Sequence, residues 1–243
     1  MKIIIVQICC FLLLHQWAVA QTSPSEDKTI SGRKTWVVST SIPKGIDNPL
    51  KILVGEKLHE TRLYMRSMGK PIPVDSTGIV RGVKIVKDDA GRDAYENLFY
   101  CTIPEQVREA LIILVPGPKD AEGLRFRSKI IDLSEFKVGG SLYVNLVSTK
   151  LGIRIGDYKK VISPGGMEFI NPLGSEEKGV FPVWYFYEVP NDAGSEWKLM
   201  TSSKMAVYKS RREICVFFYN EKIDNVDFRG IPFITPQPRQ RQP

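Results

Sequence analysis

Histidine is nearly missing from this chain, with two in 243 residues, and cysteine is scarce at four. Both shortages deepen once the N-terminus is set aside, because His15, Cys9 and Cys10 lie within the first twenty residues and leave only His59, Cys101 and Cys215. A zinc ion held by nitrogen and sulfur ligands needs more donors than these. A Ser-His-Asp or Cys-His hydrolase would have to use His59, which sits in the polar lead-in Lys57-Leu58-His59-Glu60-Thr61, and no Gly-x-Ser-x-Gly turn supplies an activated serine. His59-Glu60 has no second histidine after it, so the metalloprotease helix is excluded. No glycine-rich phosphate loop follows a strand and opens a helix, which removes the nucleotide-binding α/β classes. The reading assigns no catalytic residue, no cofactor and no metal.

Long apolar runs are missing too. The longest, from Ile3 to Leu14, is about twelve residues where a membrane span needs about twenty. Lys2 before it and Ala18-Val19-Ala20 after it complete a secretory signal, with cleavage expected after Ala20 and a polar leader over 21–31. The expected address is therefore secreted or periplasmic, with no transmembrane segment after processing. Removing Lys2 and no acidic residue takes the net charge from +7 to +6. Lys209-Ser210-Arg211-Arg212 is offset by Glu213, and no recognition helix or RNA-binding signature accompanies it, so nucleic acid is not an expected partner.

What the chain does have is strand signal. Apolar residues make up 43% and charged residues 25%, as in an ordinary soluble globular protein. Lys34–Ser39, Thr61–Arg66, Val80–Val86, Leu98–Ile103, Ala110–Val115, Leu124–Ile131, Leu142–Val147, Tyr158–Ile162, Val180–Val189, Trp197–Thr201, Ala206–Tyr208 and Ile214–Tyr219 fit period two or short apolar runs. Turn residues such as Lys87-Asp88-Asp89-Ala90-Gly91 and Pro190-Asn191-Asp192-Ala193-Gly194 separate them. About a dozen strands at this spacing predict an all-β chain, a β-sandwich of immunoglobulin-like type over 32–234, built as one or two sandwich units. Pro116-Gly117-Pro118 and the polar residues after it mark 116–123 as an internal boundary or a long crossing loop. Helix is expected only as two turns over Pro104–Leu111 and one over Asp132–Phe136. The halves show no repeat in sequence, and 235–243 reads as a disordered basic tail.

Cys101 and Cys215 both lie in strand-like runs, so they form either one disulfide in an oxidising compartment or two buried free thiols. Asp88 to Glu96 is the densest acidic stretch, and its spacing suits a hairpin turn better than a calcium loop. Val183-Trp184-Tyr185-Phe186-Tyr187 puts Trp184 and Phe186 on one strand face and Val183, Tyr185 and Tyr187 on the other. That strand and Ile214–Tyr219 are expected to be central and covered on both sides.

The runs Ala110–Pro116, Ser141–Val147, Ser163-Pro164-Gly165 and Trp197–Ser203, which combine a strand ending in Val-Asn-Leu with a Ser-Pro-Gly turn, resemble uncharacterised exported bacterial β-sandwich proteins. The resemblance spans about half the chain. It implies the fold and the address and brings no functional residue. The expected function is a non-catalytic binding or structural protein of the bacterial cell envelope that binds a protein partner through strand edges. The alternatives are an anionic-glycan module that uses Trp36, Trp184, Trp197, Lys209, Arg211 and Arg212, and a glycoside hydrolase built on two distant carboxylates.

Overall fold

The computed structural model describes residues 32–234 apart from Glu135 and Ala193. The expected signal at 1–20, the leader and the tail lie outside the described residues. Eight strands come from the first half: β1 (Lys34–Ser39), β2 (Leu50–Val54), β3 (Lys57–Thr61), β4 (Ile72–Pro73), β5 (Ile79–Lys87), β6 (Asp93–Thr102), β7 (Glu109–Pro116) and β8 (Phe126–Asp132). Eight more follow: β9 (Gly140–Asn145), β10 (Leu151–Ile155), β11 (Tyr158–Ile162), β12 (Met167–Ile170), β13 (Lys178–Asn191), β14 (Gly194–Tyr208), β15 (Arg211–Asn220) and β16 (Asn225–Ile234). The fold is all-β, and no helix occurs among the described residues.

The strands make four sheets of four. In the first half an outer sheet, β3-β2-β5-β6, covers one face of an inner sheet, β4-β1-β7-β8. In the second half the inner sheet is β12-β9-β15-β16 and the outer one β11-β10-β13-β14. The two inner sheets then pack on each other, so the molecule is a stack of two sandwiches with three cores. This explains the unbroken apolar runs in the sequence. Along β7, Ala110, Ile112 and Leu114 enter the first core, while Leu111 and Ile113 point the other way into the middle one. Along β15, Ile214 and Val216 enter the middle core and Cys215 and Phe217 the last. A strand buried on both faces has no polar side to show. The same burial accommodates parallel pairing, which occurs in the two inner sheets as β1 with β7 and β9 with β15.

The halves are topological copies. Strand order β4-β1-β7-β8 over β3-β2-β5-β6 reappears as β12-β9-β15-β16 over β11-β10-β13-β14. The β2–β3 and β10–β11 hairpins both turn on a left-handed glycine, Gly55 at φ 57° and Gly156 at φ 54°, where a side chain would be strained. A bulge interrupts β5–β6 after Gly82 and interrupts β13–β14 after Tyr185, and each extra residue, Leu98 or Met200, lies on the partner strand. Repeated register at this level is invisible to residue identity. The sandwich is present, with a strand order of its own rather than the immunoglobulin one.

Several local expectations are corrected. Pro104–Leu111 makes one turn, closed by Val107 N–H to the Pro104 carbonyl at 3.0 Å, and then enters β7 because Ala110 and Leu111 are claimed by two cores. Asp132–Phe136 ends β8 and turns on Ser134 N–H to Asp132 Oδ1 at 2.9 Å. The predicted strand at Thr61–Arg66 is the last residue of β3 and a loop, and Trp197–Thr201 and Ala206–Tyr208 are parts of one strand, β14. Residues 116–123 join β7 to β8, which pair within one sheet, while the chain passes between the sandwiches at 133–139. Of the two alternatives for the cysteines the second holds: Cys101 sits in the first core and Cys215 in the last, with the middle core between them, and both are buried free thiols.

Candidate functional site on the open face of the last sheet

The six residues singled out for glycan contact separate into three places. Trp36 is 8% exposed and belongs to the middle core, edge-on to Phe233 with ring centroids 5.6 Å apart. Lys209, Arg211 and Arg212 lie at the β14–β15 turn, each engaged. Lys209 pairs with Glu177 at 2.7 Å, Arg211 stacks on Tyr208 at 4.5 Å, and Arg212 lies 5.4 Å from the Phe233 ring while donating to the Leu133 carbonyl. Trp184 and Trp197 share a third location with residues the sequence reading missed.

That location is the solvent face of β11-β10-β13-β14. Strand alternation sends Val183 and Tyr185 into the last core, against Tyr143 and Phe217, and turns Trp184 and Phe186 outward. β13 is thus central in its sheet but covered on its inner face alone. Pairing aligns the outward residues in rows across the strands. One row runs Lys159, Arg154, Trp184 and Ser202, and the next runs Val161, Gly152, Phe186 and Leu199. Rows two residues apart stand roughly 7 Å from each other along the strands.

A groove of about 420 Å³ opens over these rows, lined by Gly152, Arg154, Lys159, Val161, Phe186 and Trp197 among others. Its floor depends on Gly152. A Cβ there would stand 3.2 Å from Cζ3 and 3.5 Å from Cε3 of Trp197, so the missing side chain lets the six-membered ring of the indole come close to the β10 backbone. Trp197 remains 46% exposed, beside Val161 at 61% and Leu199 at 55%. The Arg154 guanidinium lies 4.6 Å from the centre of the Trp184 ring and donates from Nε to the Gly156 carbonyl at 3.4 Å. Among the described residues neither Arg154 nor Lys159 has a carboxylate partner. Lys160 is taken by Glu168 at 2.7 Å.

A carboxylate in the same sheet is Glu188, opposite Trp197 in the β13–β14 pairing. Ser195 Oγ donates to it at 2.9 Å and Lys150 Nζ lies 3.3 Å away, and these contacts, the Ser195 bond first, hold its carboxyl below the ordinary glutamate range. Glu188 and Asp224 line one cavity of about 300 Å³ on the flank, where Asp224 accepts from the Tyr219 hydroxyl. A glycosidase acid needs a raised pKa, and Glu188 is shifted the other way.

Elsewhere, Asp88 forms the β5–β6 hairpin turn, its Oδ1 accepting from Ala90 and Arg92 N–H at 2.9 and 2.8 Å. His59 stands in edge strand β3 opposite Ile52, not in a loop. Among the described residues no group of three His, Cys, Asp or Glu side chains is placed to hold a metal. No helix there is long and apolar enough to cross a membrane. No family model matches the chain, and no curated protein matches it.

Proposed function

We propose that this chain is an exported, non-catalytic binding protein of a bacterial cell envelope, related to exported bacterial β-sandwich proteins, and that it holds carbohydrate on the open face of its last sheet. Trp197, nearly half exposed and packed by its six-membered ring over Gly152 beside cations, is the observation that carries this reading. A pyranose presents a face of C–H groups, weakly positive, to the negative face of an aromatic ring. An indole already seated on the sheet offers its exposed part at little ordering cost. Export rests on the signal pattern ending at Ala20.

A protein partner is the second reading, favoured by β14. This strand of fifteen residues is paired on one side alone, to β13, so its other edge can accept an added strand. Retention of the processed chain on immobilised envelope polysaccharide, compared with crosslinking to envelope proteins, separates the two. Glycan retention that falls at least tenfold in Trp197→Ala supports the first reading. A specific protein crosslink with no glycan retention overturns it.

A further inference from the structure

Resting on the carbohydrate reading, we infer that the groove over β10, β11, β13 and β14 selects an acidic polysaccharide, with Trp197 and Phe186 contacting the sugar rings and Arg154 and Lys159 contacting their anionic groups. Three observations converge on it. The cations lie in one cross-strand row, Lys159 opposite Arg154, and the apolar floor of Gly152 and Phe186 lies in the neighbouring row. A sugar ring over the floor therefore has its substituents within reach of two positive charges. The other charged residue lining the groove, Lys160, is already matched by Glu168. Arg154 and Lys159 are left as the uncompensated pair, and charge complementarity then calls for an anion on the ligand.

Arg154 is also held ready. Stacking on Trp184 and the bond to the Gly156 carbonyl fix the guanidinium plane, so less freedom is lost when it meets a carboxylate or sulfate than for a free side chain. The groove volume, about 420 Å³, falls within the roughly 300–1,000 Å³ of sites that enclose small ligands or a few linked rings. A lipid surface fits less well, because Trp197 stands within strand β14, in contact with Gly152 of the sheet, and does not project from a loop or helix as an anchor would.

The test uses the full processed chain against polygalacturonate, alginate and heparin, with polygalacturonate methylated at its carboxylates as a neutral polymer of the same backbone. Binding to at least one acidic polymer is expected, at least tenfold weaker for the methyl ester, weakened at least fivefold by raising salt from about 50 to about 300 mM, given screening of exposed charges. Arg154→Gln with Lys159→Gln should lose at least tenfold while melting like the parent. Lys209→Gln with Arg211→Gln should bind unchanged. Trp197→Phe should retain binding that Trp197→Ala loses. Equal affinity for the ester and the acid overturns the acidic assignment and leaves a carbohydrate site. Failure of the folded chain to bind any of the four polymers overturns both readings. Preferential, Trp197-dependent binding to phosphatidylglycerol vesicles assigns the face to a lipid surface instead.

Discussion

Arg33 shows what a single buried side chain does here. It is 3% exposed and has no carboxylate partner among the described residues, yet its guanidinium donates to the carbonyl oxygens of Asp75, Ile103, Pro104 and Val107 at 2.9–3.2 Å, tying the β4–β5 and β6–β7 loops to the start of β1. For the two thiols burial outweighs their hydrogen bonds, Cys101 with Ser128 and Cys215 with Tyr185. Desolvation pushes the Cys101 thiol up from 9.0 to about 12 and pushes Cys215 higher still, with the Glu213 charge adding to the latter. The unfolded thiol ionises first as pH rises. Stability carried by the neutral folded thiols is therefore whole below pH 9.0 and drains between 9.0 and about 12. From about pH 9 to 10, urea unfolding should lose about 1 kcal/mol per thiol. Cys101→Ala with Cys215→Ala should flatten that decline. Tyr143 and Tyr185, raised by burial from 10.0, add their own decline above pH 10.0. An equally steep loss below that point in the double variant would refute the assignment to the thiols.

At the scale of elements, the strands divide into those that carry the stack and those that overhang it. β1, β7, β9 and β15 lie within inner sheets, each hydrogen-bonded on both sides. The β13–β14 hairpin instead outruns its support, for β10 pairs with β13 over Val183–Tyr187 and the Glu188 N–H donates to the Lys150 carbonyl just before β10, beyond which Val189–Asn191 pair in the sheet with β14 alone. The β5–β6 hairpin does the same beyond Val83, since β2 pairs with β5 over Val80–Val83. Amide exchange tracks local opening, which costs least where few buried contacts are broken. Amides of 189–191, 194–196 and 84–96 should exchange at least a hundredfold faster than those of 111–114 and 214–217, read by mass spectrometry. Comparable protection would mean that something covers the overhangs in solution.

The whole molecule is joined by its middle core. Trp36, Val38, Leu111, Ile113 and Ile131 come from one half and Val144, Ile214, Val216 and Ile231 from the other, so either half alone would present an apolar sheet face to water. At the rims, Phe136 meets Phe169 edge-on at 5.9 Å and Lys129 Nζ donates to the Gly165 carbonyl at 3.1 Å. Each sandwich thus completes the other, as two subunits do across a self-complementary interface. Ile113 is fully buried at this joint. Ile113→Ala should cost about 2–5 kcal/mol. Scanning calorimetry should show one transition, shifted down as a unit. Two separate transitions, one of them unmoved, would mean that the sandwiches unfold independently.

Alternation and apolar runs in the sequence were enough to determine an all-β chain, because β7, β13 and β15 are long and their burial is written residue by residue. Strands β2, β4, β10, β12 and β16 all escaped notice, and for β4 and β12 the reason is that two to four residues of mixed polarity carry no period of their own. Residue types also marked Trp184 and Trp197 as groove candidates, while Trp36, of the same type, went to the core. Only the tertiary structure could separate them. Whether a strand face is open or covered depends on which sheet lies across from it, and that is set by partners far away in the chain. The same holds for Gly152, Arg154 and Lys159, which are unremarked as single letters and become a floor and a charged rim only when three strands align them. It holds for the duplication as well, since hydrogen-bond register and bulge position are properties of paired backbones and leave almost no trace in side-chain identity.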